Sequence, residues 1–271
     1  LIATVIAGYG ASQIKTGFDF NSFLPEDTPS LKLYEKIQED FPFSSQDVEY
    51  ILLEGNVATV DTLRGIIKTR ENLKDDTFIV KNADGSIKTI SIYGIMKQAA
   101  NNNKSLFEKF NLDKNLFILS SDRDVKEFYD YLYENPVYGF QTASILHKNE
   151  NGQYDAATIN IYIDLGSHNG DDVNSNEKLD VLSTELNEDL GDYRTAVAIV
   201  TGPMIITNKI TTSLTESQYL STLISLVLAA VILIIVYRRP TLGLITMVPV
   251  LISMVWILGA MYFIGYDLNV L

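Results

Sequence analysis

The densest grouping of chemically capable side chains is Asp171-Asp172-Val173-Asn174-Ser175-Asn176, whose clustered oxygens resemble the start of a calcium loop. Counted from Asp172, however, the glycine position of such a loop holds Glu177 and its closing glutamate position holds Ser183. The run is therefore expected to be a turn leading into a helix, with Asn174 as its cap and Glu177 three residues on. The two histidines, His147 and His168, lack a partner at metal-ligand spacing and are expected to be solvated. Gly8-Tyr9-Gly10 opens like a dinucleotide-binding turn, but Gln13 stands where the third glycine belongs and no strand precedes it. Neither a Gly-x-x-x-x-Gly-Lys loop nor a Gly-x-Ser-x-Gly elbow is present. With no cysteine there is no thiol nucleophile, disulfide or thiolate metal site. No catalytic, cofactor-binding or metal-binding residue is assigned, no cofactor is expected, and the chain reads as something other than an enzyme. Substrate-contacting residues carry no local signature. Asn103-Lys104-Ser105 matches the three-residue sequon for N-linked glycosylation, a weak signal by itself.

The elements that would hold such residues are set by the charge pattern. The 271 residues carry 21 Lys+Arg against 34 Asp+Glu, a net charge of −13. Past Glu216 only Arg238, Arg239 and Asp267 are charged, which leaves 19 basic and 33 acidic residues before position 217. An acidic surface of this kind opposes nucleic-acid binding, because phosphate contacts need a basic face. Residues 217–237 and 240–266 contain no Asp, Glu, Lys, Arg or His. At ~1.5 Å rise per residue each is long enough to cross a hydrocarbon layer of ~30 Å as a helix. Apolar residues from Leu226 to Ile235 surround the axis, so neither segment is a surface-lying amphipathic helix.

Arg238-Arg239-Pro240 makes a short basic turn between them, which favours the cytoplasmic side. By continuity, residues 15–216 are expected outside the cell, as part of a multi-pass protein of the cell membrane. Leu1 to Ile14 is uncharged but too short to cross, and reads as the outer half of a truncated helix or as the remnant of a signal-peptide apolar region, the truncated helix being preferred because no A-x-A-type cleavage site follows it. Ser217, Ser221, Ser225 and Ala229 recur every fourth residue, a spacing that lets another helix approach closely. Pro249 is expected to kink the second span.

Within the outer region, Thr28 with Pro29 begins an expected helix that ends near Phe41-Pro42. Val48–Glu54 reads as a strand, and Val60, Leu63, Ile67 and Leu73 as a helix after Thr59. Thr77–Ala83 and Ser86–Ile92 flank Asp84-Gly85 as a hairpin, and Gln141–Lys148 and Tyr154–Asp164 flank Asn151-Gly152 likewise. Leu179, Leu182, Leu186 and Leu190 mark a helix, and Ala196–Val200 a last strand. With residues about 84–150 set aside as a helical insertion, the order strand, helix, strand, strand, helix, strand is the split βαβ pattern of a ferredoxin-like α+β domain. The insertion is expected to hold helices at Gly94–Asn101, at Leu106–Phe110 and around Val125–Leu132. Nine aromatic residues fall between Phe107 and Phe140. They could line a pocket for greasy ligands or form the insertion's own core, and the core is the stronger expectation.

Taken together, Phe18-Asp19-Phe20-Asn21-Ser22-Phe23-Leu24-Pro25-Glu26-Asp27-Thr28-Pro29, then Thr201-Gly202-Pro203 entering a helix, Tyr237-Arg238-Arg239-Pro240 and Gly265-Tyr266-Asp267-Leu268-Asn269-Val270-Leu271 resemble the resistance-nodulation-division superfamily. The similarity is strongest to the MmpL-like branch, exporters of lipids and other hydrophobic compounds in archaea and bacteria. The resemblance implies the end of the first transmembrane helix, a first porter domain, and the second and third helices. It further implies export coupled to proton entry through acidic residues of a fourth helix, beyond Leu271, and a second copy of the unit. The implied partners are those remaining helices, the second porter domain, the membrane and a hydrophobic substrate, with an oligomer possible and no nucleic acid. Two other readings fit the bare layout: a membrane-anchored sensory or ligand-binding domain, and a protein-translocation accessory or sterol-sensing relative.

Overall fold

The structure is a computed structural model that describes residues 2–13, 16–17, 36, 47–165, 176–265 and 268–269. The helix expected over Thr28–Phe41, apart from Lys36, lies outside the described residues, as do His168, the Asp171–Ser175 run and the Asn174 cap. The described chain mixes helices with antiparallel sheet and carries two long apolar helices after it. Its contacts divide it into two units, residues 1–31, 174–176 and 207–271 in one and 32–173 and 177–206 in the other.

The sheet unit is built on β2 (Asp47–Gly55), which pairs antiparallel with β5 (Tyr154–Ile163) on one side and β6 (Ala196–Thr201) on the other. The strand order is β3-β5-β2-β6, with β3 (Thr89–Ile90) and β4 (Leu146–Lys148) each pairing with β5. Alternation decides the faces, because successive side chains point to opposite sides of a strand. Ile51, Leu53, Ala157, Ile159, Ile161 and Ile163 are buried on one face. On the other, Val48, Tyr50 and Leu52 are half-buried and Val197 and Ile199 open.

Two helices join the buried face. The first is α2 (Val60–Asn72), whose N-cap Thr59 accepts the Thr62 N–H while Leu63 and Ile66 enter the core. The second is α7 (Asn176–Glu188), which adds Leu179, Leu182 and Leu186. The inserted helices are α3 (Ile92–Asn102), α4 (Ser105–Lys109), α5 (Asp122–Glu134) and α6 (Gly139–Ile145). In α5, Val125, Phe128, Tyr129 and Leu132 recur at i, i+3, i+4 and i+7 and are all buried, so the amphipathic pattern sets its orientation. The aromatic run is a core: Phe110 meets Phe128 edge-on at 4.8 Å and Tyr129 meets Tyr154 at 5.4 Å. Val137 and Phe140 remain exposed.

Two expectations are corrected. The hairpin expected around Asp84-Gly85 forms only as a short one, with the Asn82 N–H bonded to the Ser86 carbonyl at 2.7 Å and the Lys88 N–H to the Val80 carbonyl at 2.7 Å, and it does not add two strands to the sheet. Ile79 bridges Ile163, the chain leaves in a small loop closed by the Lys81–Ile87 bridge, and Thr89–Ile90 resume pairing with β5 in the same direction. Asp84 accepts from the Ser86 N–H and hydroxyl, and Gly85 takes the positive φ of 78° that the turn needs. Gln141–Lys148 is not one strand either, since α6 runs to Ile145 and places Thr142 and Ile145 in the interior. The long helix α8 (Pro203–Tyr237) starts at Pro203, directly after Thr201-Gly202, and contains the uncharged residues 217–237.

In the other unit, α1 (Ile2–Gln13) packs along α9 (Pro240–Ile264). The Cβ of an alanine at Gly259 would stand 2.5 Å from the Ala7 carbonyl oxygen, and one at Gly10 would stand 3.1 Å from the Gly259 carbonyl oxygen. Trp256 Nε1 donates to Thr4 Oγ1 at 3.3 Å. Thr4 with Trp256, Ala7 with Gly259 and Gly10 with Phe263 advance together, so the two helices run parallel. They lead into β1 (Thr16–Gly17) and β7 (Leu268–Asn269), which pair in parallel. The second apolar helix ends at Ile264, short of 266, where Gly265 takes the left-handed conformation at φ 83°. It continues through Pro249.

Candidate functional site

Glu49 occupies an inward position of β2, in phase with Ile51 and Leu53, and is fully buried. Its Oε1 accepts the Met204 N–H at 2.9 Å, and the Ile205 N–H also points to the carboxylate. These are first-turn donors of α8, which have no partner inside the helix and favour an anion there. Oε2 is buried with no hydrogen-bond partner among the described residues. Burial pushes the carboxyl up to about 7, and the negative charge of Asp47 adds to the rise against the pull of the two N–H groups. Asp47 is itself raised, by burial and then by Asp164.

Gly202 makes the close fit possible. Its φ of 150° is rarely adopted by residues with a side chain, and a Cβ there would collide with the Glu49 carboxylate. The chain thus turns out of β6 directly beneath the carboxylate and starts a helix on it. From Pro203 the helix runs unbroken for 35 residues, on the order of 50 Å. Leu223, Ile224, Val227 and Leu228 on it are more than half exposed. Core helices of soluble proteins hide such residues, whereas a lipid-facing helix presents them outward.

A second acidic contact lies between α2 and α7. Asp76 is buried and shares a hydrogen bond with the Asp189 side chain, and burial followed by that contact holds its carboxyl well above the usual range. Around it, Asn72 Nδ2 donates to the Asp189 carbonyl, and Thr69 Oγ1 accepts the Gly191 N–H at 2.8 Å. Thr69 also bonds the Tyr193 hydroxyl at 2.8 Å, and Gly65 leaves room for the Tyr193 ring against the helix backbone. Among the described residues no group of three or more His, Cys, Asp or Glu is arranged to hold a metal ion.

Of the residues singled out in the sequence, His147 is exposed and contacts Asp155 Oδ1 at 2.6 Å, and among the described residues it joins no metal-binding group. Gly8 and Gly10 lie inside α1 against α9, not in a phosphate-binding turn. Asn103 sits in the exposed turn between α3 and α4. Ser217, Ser221 and Ser225 are exposed on α8. Glu49 escaped the sequence reading, although its signal was present: with Asp47 it is in phase with the inward apolar residues Ile51 and Leu53 of β2, and Gly202 precedes the proline that starts α8.

The sequence is 26% identical over 280 residues to a protein of Methanocaldococcus jannaschii described as a membrane protein, covering 99% of this chain and 63% of that relative's length. The chain thus spans about 63% of the relative it matches. Residues 22–270 match the MMPL family. With helices long and apolar enough to cross a membrane and a match over nearly all of its length, the chain belongs to the MMPL family.

Proposed function

We propose that the chain is part of a polytopic, proton-driven exporter of the resistance-nodulation-division type, moving lipids or other hydrophobic or amphiphilic compounds. In this reading residues 15–216 form a porter domain outside the cell, and α1, residues 217–237 of α8, and α9 lie in the membrane. The strand order β3-β5-β2-β6 with all neighbours antiparallel supports a split βαβ, ferredoxin-like arrangement for that domain, in which α2 and α7 are the crossover helices. The helix insertion between β3 and β4 is an elaboration on it. No catalytic role is part of the reading, and the remaining helices and a second porter domain are its expected partners.

The observation that carries the proposal is the head of α8: a helix whose first N–H groups are held by a core carboxylate and whose later turns are apolar and open. A sheet tilted by a passing substrate would carry the helix with it. Insertion of Gly-Gly next to Thr215, between the polar and apolar turns, uncouples the two halves while leaving each folded. Efflux of a hydrophobic fluorescent probe from cells making the full-length protein should then fall to the background level. Unchanged efflux with normal amounts of folded protein defeats the reading. Because Arg238-Arg239 leads straight from α8 into α9, a receptor that continues into a cytoplasmic domain is disfavoured.

A further inference from the structure

We propose that Asn103 carries an N-linked glycan, transferred from a polyisoprenyl phosphate-linked oligosaccharide. The inference rests on the reading that residues 15–216 face outside the cell. Asn103-Lys104-Ser105 is the one Asn-x-Ser/Thr in the 271 residues. It falls in the turn between α3 and α4, where Asn101 through Ser105 form a continuous exposed polar run. The Asn103 backbone N–H is tied to the Ala99 carbonyl, which fixes the residue at the helix end. Its Oδ1 accepts the Ser105 hydroxyl at 2.7 Å and the Ser105 N–H at 3.2 Å. Both described side-chain bonds use the oxygen, so Nδ2 remains available toward solvent.

Three requirements of the chemistry meet here. The acceptor is accessible, the hydroxyl two residues on lies against the same amide, and the next residue inward, Leu106, is buried and anchors α4 beneath the turn. A bulky, hydrated sugar added at this turn covers polar surface and displaces no apolar contact. In the transfer, Nδ2 forms a bond to the anomeric carbon and the bond from that carbon to the lipid phosphate oxygen breaks. The Nδ2 proton passes to a base of the transferase, and the lipid phosphate leaves. The α3–α4 turn thereby becomes a hydrophilic, protected face of the insertion.

The test is mass spectrometry of the proteolytic peptide containing Asn103, from full-length protein taken from its native membranes. In the same cells, Glu150→Cys, within 271 residues that hold no other cysteine, is probed with a membrane-impermeant maleimide and its label located by peptide mapping. The expected result is a peptide heavier by an oligosaccharide, with the increment lost in N103Q and in S105A and kept in S105T, together with labelling at position 150 from outside. Labelling at position 150 with an unmodified Asn103 peptide overturns this proposal and leaves the outward reading intact. Absence of labelling overturns that reading and this proposal with it.

Discussion

The carboxylate of Glu49 accepts the backbone N–H of Met204 at 2.9 Å across 155 residues of sequence, so that a central strand caps the helix that leaves the sheet. The partner N–H groups favour an anion, burial favours the neutral acid, and burial wins, placing the group at about 7 against an ordinary 4.5.

Stability should therefore depend on pH through this group. A raised carboxyl favours the folded state in its neutral form, so its contribution is complete below pH 4.5 and is lost as pH rises through 7. The shift corresponds to about 3 kcal/mol. Thermal unfolding in detergent should show a fall in midpoint from pH 5 to pH 8 that is flattened in E49Q. Equal slopes in the two proteins would contradict the assignment.

Gly202→Ala should destabilise the protein by about 1–3 kcal/mol, since the backbone must hold a φ of 150° and the new methyl meets the carboxylate. Adding Glu49→Ala relieves the collision but not the backbone strain. A double-mutant cycle should thus give a coupling of roughly 1 kcal/mol, and strict additivity would show that the two residues do not touch.

At the α2–α7 contact, Asp76 and Asp189 share a hydrogen bond that only a protonated carboxyl can donate. Because the Asp76 carboxyl is raised, its contribution is present at low pH and is lost as pH rises through its folded-state value. Asp76→Asn keeps a donor at every pH. The variant should unfold at a higher temperature than the unsubstituted protein at pH 9 and show a much smaller advantage at pH 5. A reversed order at pH 9 would sink this account.

Gly259→Ala should separate α1 from α9, because its Cβ would press on the Ala7 backbone, which cannot swing aside. Trp256, the one tryptophan of the chain, reports on this seam through its bond to Thr4. The emission maximum should shift in Gly259→Ala and stay unchanged in Ile257→Ala, whose side chain is exposed.

Elements whose own residues carry the pattern could be read directly. Val125, Phe128, Tyr129 and Leu132 announce α5, the alternation from Ala157 to Ile163 announces β5, and the absence of charge from 217 to 237 and 240 to 266 announces the apolar helices. Reading failed where tertiary contacts decide. Residues 203–216 mix Met204, Ile206, Ile210 and Leu214 with Thr207, Asn208, Lys209, Thr211, Thr212, Ser213, Thr215 and Glu216, so the uncharged span shows only the later part of α8, and that Glu49 meets its first N–H groups is a tertiary contact no local pattern announces. Around Asp84-Gly85 the turn chemistry was legible, but not that its two arms belong to one edge of the sheet. Gln141–Lys148 reads as a strand from its place before Asn151-Gly152, but its first five residues belong to a helix that buries Thr142 and Ile145.

The parallel course of α1 and α9 constrains how the polypeptide can be threaded. On the proposed reading, in which α1, α8 and α9 each cross the lipid, two segments pointing the same way must have an odd number of passes between them, and α8 supplies one. Any even number, including zero, is left for residues 14–202. The sheet and its insertion must then depart from and return to the same boundary of the lipid, a rule of parity that holds whichever side that boundary faces.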